Sequence, residues 1–363
     1  MSLITGEVVY LFAFDVAYEM RREPLRRLLG QEVAQFSVDA SKRSPRQLSF
    51  YRPQMVRLPV VERVGPHGPV RVERSIKILP IGALSITVRV PFSVERIEDL
   101  VHYHDLRFGE RALEDEVRQL AEDARHELAP WHIRPVQHLP DEEAYTIFAI
   151  TSLPVGGHLR AVRWLGEHRR AVAALLTQES DLGHLSDLEV EESTARALSY
   201  YDHDLVVVDW DAALVIDNPR GIEETIYIME LANLQLAEFE AYDKILDQSV
   251  EQSYRDMATR SLFRVRGALA PLRELRIDLA RLSDELSNIT KFFGDWHSAR
   301  IYQVLAERFH LPDWHRSIDA KLTTLDELYQ LANQDQHTRQ MLILEVMIVL
   351  LFVLDLVLWA VRP

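Results

Sequence analysis

The chain has no cysteine. That excludes a disulfide scaffold, thiolate-ligated metals, iron–sulfur clusters and a cysteine nucleophile, and it fits a reducing compartment. Positive charge is scarce. Against 56 Asp and Glu stand 41 Lys and Arg, a formal net charge of −15, so bulk electrostatics do not favour nucleic acid. There is no phosphate-cradling glycine loop ending in Gly-Lys-Ser/Thr and no dinucleotide fingerprint of the G-x-G-x-x-G type. A nucleophile elbow (G-x-S-x-G) and a zinc helix (H-E-x-x-H) are also missing, so no cofactor is expected. Internal repeats and low-complexity stretches are absent. With 363 residues, 47% hydrophobic and 27% charged, the chain should fold as two or three structural units.

What is present is one loud apolar run. Met341–Val361 reads MLILEVMIVLLFVLDLVLWAV, of which 19 of 21 residues are apolar and none is Pro, Gly, Lys or Arg. As a helix it is about 31 Å long, the thickness of a bilayer core. The run predicts a single transmembrane helix and a tail-anchored protein. The N-terminal MSLITGEVVYLFAFDVAYEMRR lacks a basic leading stretch and is broken by Asp15, so it reads as a strand and not as a secretory signal. The bulk of the chain is therefore expected on the cytoplasmic side of an inner membrane. Arg339 and Arg362 flank the run evenly and decide nothing about orientation.

Two acids interrupt the run, Glu345 and Asp355. Each is expensive in hydrocarbon, about 2.5–3.5 kcal/mol for a central Asp. They fall about 80° apart on a helix that turns by about 100° per residue, so one broad face holds both. Such acids usually face a helix bundle or an aqueous cavity, and a single-span chain makes a bundle only by self-association. A homo-oligomer is expected, with these acids on its packed or pore-lining face. Glu345 is near enough to the membrane entrance to reach headgroups instead.

Upstream, Ile318, Leu322, Leu325, Tyr329 and Ala332 step by 4, 3, 4 and 3, a heptad seam. One helix is predicted from about residue 312 to 361, roughly 75 Å long, its first half a stalk. The seam packs either against sister copies or against the chain's own helices. Two more long helices are predicted at about 222–258 and 268–293, joined as an antiparallel hairpin. A shorter helix is expected at about 297–309.

The first 217 residues read differently. Val8–Val16, the alternations at Val56–Val60 and Leu84–Val90, and Tyr145–Ile150 predict strands. Residues 65–69 predict a turn, 94–128 a helix, 154–157 a break and 161–178 a helix. Asp204–Asp217 predicts a hairpin turning near Trp210 and Asp211. The fold class is α+β: a mixed, largely antiparallel sheet domain over 1–217, then a helical hairpin and short helix over 218–310, a stalk over 311–340 and a span over 341–361.

Candidate chemistry is sparse. The alternating His102 and His104, with Asp105, are imidazoles at a spacing that serves a zinc ion. Asp204, Asp209 and Asp211, near Asp202 and Asp217, form an acid cluster that serves Mg²⁺ or acid–base work. For both, packing and turn roles are the plainer reading. The basic clusters Arg21-Arg22, Arg26-Arg27 and Lys42-Arg43 read as solvated faces.

The order hairpin (Asp204–Asp217), long helix with Ser249-Val250 and Tyr254, short helix (Ala299–Ala306) and span with acids ten residues apart (Glu345, Asp355) resembles the "required for meiotic nuclear division" family. The likeness covers residues 200–361. This chain departs from that family's pattern with Val346 after the first acid and Trp210-Asp211 at the hairpin turn. The resemblance implies a membrane-bound homo-oligomer with no established catalytic residues. In layout alone the chain is similar to CorA-type channels, but it has one span and no Gly-Met-Asn signature, and likeness of layout does not establish transport. Three functions follow as expectations. The first is a membrane-anchored scaffold whose head binds an unknown protein partner, the second a channel-like assembly lined by the span's acids, and the third a membrane-tethered enzyme using the Asp202–Asp217 cluster.

Overall fold

The structure is a computed structural model describing residues 3–21, 23–35, 53–136, 138–153, 160–258, 277 and 296–361. The chain divides into two compact units, Met1–Ala241 with Ser287–Pro312, and Tyr242–Leu286 with Asp313–Pro363. A long helix begins at Pro219, and the compact units divide 22 residues later, after Ala241.

The first unit is a mixed α/β domain built on one large sheet. Its strands in chain order are β1 (Ile4–Asp15), β2 (Ala17–Met20), β3 (Arg27–Leu28), β4 (Gln31–Gln35), β5 (Gln54–Arg57), β6 (Val61–Gly65), β7 (Gly68–Ile78) and β8 (Ala83–Val94). They are followed by β9 (Arg107–Phe108), β10 (Arg111–Ala112), β11 (His132–Pro135), β12 (Glu143–Ser152), β13 (Ala197–Leu198), β14 (Leu205–Val208) and β15 (Ala212–Ile216). The order across the sheet is β13-β14-β15-β12-β1-β8-β7-β5-β4-β3, with β6 pairing β7 to one side. All pairs are antiparallel except β12 and β15, which run parallel from Thr146 opposite Ala212 to Ile150 opposite Ile216. The sheet is therefore mixed, with the antiparallel majority expected from its hairpins.

β1 is central because its run VVYLFAF suits burial on both faces. Val8, Tyr10, Phe12 and Phe14 point one way and Val9, Leu11 and Ala13 the other, and all are buried. The first row joins a core with helices α1 (Leu113–Leu128) and α2 (Ala161–Leu176) through Val117, Ala121, Leu165, Val172 and Leu175. The hydroxyl of Tyr10 donates to the carbonyl of Tyr103, tying the strand to a 3₁₀ segment at Ile97–Tyr103. Residues 94–128 are not one helix. The 3₁₀ segment and the β9–β10 hairpin precede α1, because Gly109 (φ 72°) turns the chain between Phe108 and Arg111.

The second face is covered within this unit by the start of α4 (Pro219–Ala258) and by α5 (Trp296–Arg308); a short α3 (Asp187–Ser193) lies between α2 and β13. Asn218 caps α4, its side-chain oxygen accepting from the amides of Arg220 and Gly221 at 3.1 Å each, with Pro219 in the first turn. Asn233 of α4 donates to the carbonyl of Glu143, and Tyr145 packs edge-on to Phe309 with ring centres 5.1 Å apart. The hydroxyl of Tyr302 on α5 donates to Gln235 on α4 at 2.5 Å.

The second unit holds the later part of α4 and the body of α6 (Leu311–Val361), a 51-residue helix. At about 1.5 Å per residue it is roughly 75 Å long, as the absence of Gly and the early position of Pro312 predict. Lys321 of α6 pairs with Asp243 and Asp247 of α4 at 2.7 and 2.6 Å. The helix expected at 268–293, the hairpin it was to form, and the break at 154–157 lie outside the described residues.

Candidate functional site

Along α6 the stalk residues Ile318, Leu322 and Leu325 are buried within this one chain. Tyr329 and Ala332 continue the same helix, but their side chains lie outside the described residues. Beyond them the character of the helix changes. The 13 apolar side chains from Met341 to Leu354 are each 51–73% exposed, on every side of the helix. Among the described residues none covers them. Glu345 interrupts it one turn from its start and is exposed as well. The backbone of Asp355 lies on the same helix, with its side chain outside the described residues. Among the described residues no helix is long and apolar enough to cross a membrane. Described side chains of the tract end at Leu354, which makes about 21 Å of helix.

In the first unit the acid cluster is spread over backbone and salt-bridge duties. Asp204 is buried and accepts from the amides of Tyr200 at 2.7 Å and Tyr201 at 3.0 Å, closing the turn before β14. Asp209, also buried, accepts from the Trp210 amide at 2.8 Å and pairs with the guanidinium of Arg308 on α5. The same guanidinium reaches Glu192 at 3.0 Å. Tyr145 donates its hydroxyl to the carbonyl of Asp209 at 3.1 Å, and burial holds that phenol far above its usual range. Asp211 follows across the turn; desolvation, then the charge of Asp209, pushes its carboxyl up. The arrangement clamps the β14–β15 hairpin onto α5, and both oxygens of Asp204 and Oδ1 of Asp209 are already engaged.

His102 and His104 have different neighbours. The ring of His102 lies 6.4 Å from that of His67. The buried His104 ring meets Phe148 edge-on at 5.0 Å, and its Nε2 pairs with the carbonyl of Leu175. A carbonyl only accepts, so that nitrogen carries the proton. Desolvation holds His104 below the usual histidine range. Among the described residues no group of three or more His, Asp or Glu could hold a metal ion.

Sequence reasoning passed over a buried ion pair and the charges beside it. On the α4-facing side of the sheet, Lys77 of β7 pairs with Glu230 of α4, and Ser85 of β8 donates to the second oxygen of that carboxylate at 2.5 Å. Further along, Arg89 of β8 sits between Glu7 at 3.1 Å and Glu223 of α4. The signal was there: one Lys inside SIKILPI and one Glu inside IYIMELANL, single charges of opposite sign within apolar runs.

The first unit is thus a sheet domain with helices on both faces, in which the buried Lys77, Glu230 and Asp209 stand in ion pairs. The chain belongs to the family described as "Uncharacterized protein MJ0711, N-terminal domain", whose sequence profile matches residues 5–223, from β1 to the first turn of α4. It is similar to the uncharacterized protein MJ0711 of Methanocaldococcus jannaschii, 21% identical over 217 residues, covering 60% of this chain and 65% of that protein. The match thus spans slightly less than two thirds of that relative. No solved structure matches. Neither match carries the description of the meiotic nuclear division family, whose likeness rests on residues 200–361, largely beyond the matched region.

Proposed function

We propose that this chain is a membrane-anchored scaffold whose α/β head binds a partner protein and whose last helix both inserts into lipid and associates with sister copies. One observation carries the reading: the continuous exposure of the apolar side chains from Met341 to Leu354 on all sides of α6. Burying each such side chain is worth about 1.5–3 kcal/mol, and soluble surfaces rarely leave a contiguous apolar patch of this size in water. A bilayer covers a helix all round, whereas a single protein groove covers one face. The helix continues through DLVLWAV to Val361, which brings the apolar run to 21 residues and about 31 Å. Self-association is assigned to this tract because Ile318, Leu322 and Leu325 are already covered within the chain. Glu345 and Asp355, about 80° apart on the helix, then share the face between copies. The likeness of residues 200–361 to the meiotic nuclear division family agrees with such an anchor. No catalytic role is assigned to the head, where Asp204 holds the turn before β14 and Asp209 holds Arg308.

The test is fractionation of the full chain. It should stay with membranes through alkaline carbonate and high salt, and leave them only in detergent, as an oligomer by mass. Recovery as a soluble monomer without detergent would end the proposal. Replacing Met341–Val361 by an unrelated apolar span should keep the protein in membranes but lower its copy number.

A further inference from the structure

Away from the clamp and the final helix, the sheet face covered by α1 holds two arginines that the fold leaves under-satisfied. Arg63 on β6 stands opposite Val70 of β7, and Val61 stands opposite Val72. Arg74 is the next residue of the same alternation on β7, paired with Val88 of β8 and set between the buried Val72 and Ile76. Both arginines therefore point to the side where Val72 and Ile76 join Val117 and Ala121 of α1 in the core. Among the described residues they have one carboxylate between them. Glu116 of α1 approaches Arg63 at 3.5 Å, beyond a good hydrogen bond. The guanidinium of Arg63 lies over the ring of Phe108, 5.9 Å from its centre. Among the described residues the Arg74 side chain has no ion pair, and the Nε atoms of both arginines are buried without a hydrogen-bond partner.

The cost of this arrangement is unusual. Desolvation, and then the charge of Arg63, act to lower the proton affinity of Arg74. A lysine would relieve such strain by losing its proton, but a guanidinium does not titrate in the accessible range. Two fixed positive charges, Arg63 partly exposed, with one distant carboxylate and two unmatched buried N–H donors leave a net charge of +1 that no described side chain neutralises. An oxyanion with several acceptor atoms does so, because guanidinium forks pair with such groups through parallel hydrogen bonds.

We propose that Arg63 and Arg74 form a binding site for a phosphate group, free or as an ester, with Phe108 as the platform beneath Arg63 and Glu116 as the internal carboxylate the ligand displaces. Inorganic phosphate and a phospholipid headgroup present the same chemistry, and the experiment separates them.

The full chain in non-ionic detergent is titrated with inorganic phosphate, against sodium chloride at matched ionic strength, by thermal unfolding and calorimetry. A parallel series uses nanodiscs of phosphatidic acid against phosphatidylcholine. A rise in unfolding temperature with phosphate, with affinity about tenfold weaker in Arg74→Met, assigns the site to soluble phosphate. A rise with phosphatidic acid alone, again lost in Arg74→Met, assigns it to the headgroup. Glu116→Gln removes the competing carboxylate, should tighten binding several-fold, and serves as the readout if Arg74→Met fails to fold. No response to either ligand overturns the site. So does a response unchanged in Arg74→Met, or, where that variant does not fold, one unchanged in Glu116→Gln.

Discussion

Lys77 and Glu230 are separated by 153 residues and meet as an ion pair beneath α4, each almost wholly withdrawn from water. The pair has a third member, since Ser85 donates to the other oxygen of the same carboxylate. A buried pair of this kind gains little over an apolar replacement of equal volume, because desolving two charges offsets their attraction. What it does supply is position. Glu230 can be satisfied only where β7 and β8 present an ammonium and a hydroxyl side by side, and that fixes how α4 lies on the sheet.

Breaking the pair from one side should therefore cost far more than removing it. Lys77→Met leaves a buried carboxylate with only Ser85, and should lower stability by about 3–5 kcal/mol in urea unfolding. The double variant Lys77→Met with Glu230→Leu should recover most of that loss. If the double variant is as unstable as the single one, the pair is a net source of stability and the positional argument fails.

Gly82 is the second place where the fold tolerates one residue. It sits in the turn between β7 and β8 at φ 92°, and its carbonyl accepts from the amides of Val16 at 3.0 Å and Ala17 at 3.1 Å. A Cβ there would overlap the carbonyl of Ala17. Gly109, at φ 72°, has open space around the same position. Gly109→Ala should cost about 1 kcal/mol for the left-handed backbone alone, and Gly82→Ala distinctly more, since β2 must shift away. Equal losses in thermal unfolding would show that the approach of β2 at Gly82 relaxes freely.

The strands were legible where both faces are buried. β1, β8 and β12 announce themselves as apolar β-branched and aromatic runs, and the Asp204–Asp217 hairpin announces itself by two such runs around Trp210. The parallel contact of β12 with β15 was not legible, because pairing across some 60 residues leaves no local trace. Residues 94–128 misled for a different reason: the helical spacing of Ile97, Leu100, Leu113, Val117 and Leu120 continues through a 3₁₀ segment and a two-residue hairpin that Gly109 makes possible. Acids were read as a cluster because they are near in sequence. The partner of Asp209, Arg308, lies 99 residues further on and is fixed only when α5 packs against β14, while Asp204 bonds the amides of its own turn. The arginines at 63 and 74 look ordinary in sequence, and only the register of β6 against β7 turns both toward α1.

Asp15, which ends β1, makes the stability of the head depend on pH in an unusual direction. Desolvation raises its carboxyl from the normal 3.8 to about 7, and the amide of Ala17 offsets this in part. A raised acid binds its proton more tightly in the folded chain than in the unfolded one. Between about pH 4 and pH 7 the folded state therefore holds more protons, and stability falls as pH rises through that window. Below it both states are protonated and the group contributes nothing; above it the full penalty applies. Asp15→Asn keeps an oxygen for Ala17 and cannot ionise. It should match the native chain in urea unfolding near pH 4 and exceed it near pH 8 by on the order of 3 kcal/mol. Histidine 104 works the other way, since burial lowers it and its contribution is lost on acidification below about pH 6.5, so the comparison is read as variant minus native at each pH. A difference that does not change between the two pH values would mean that Asp15 is ionised in the folded head throughout, with water reaching the end of β1.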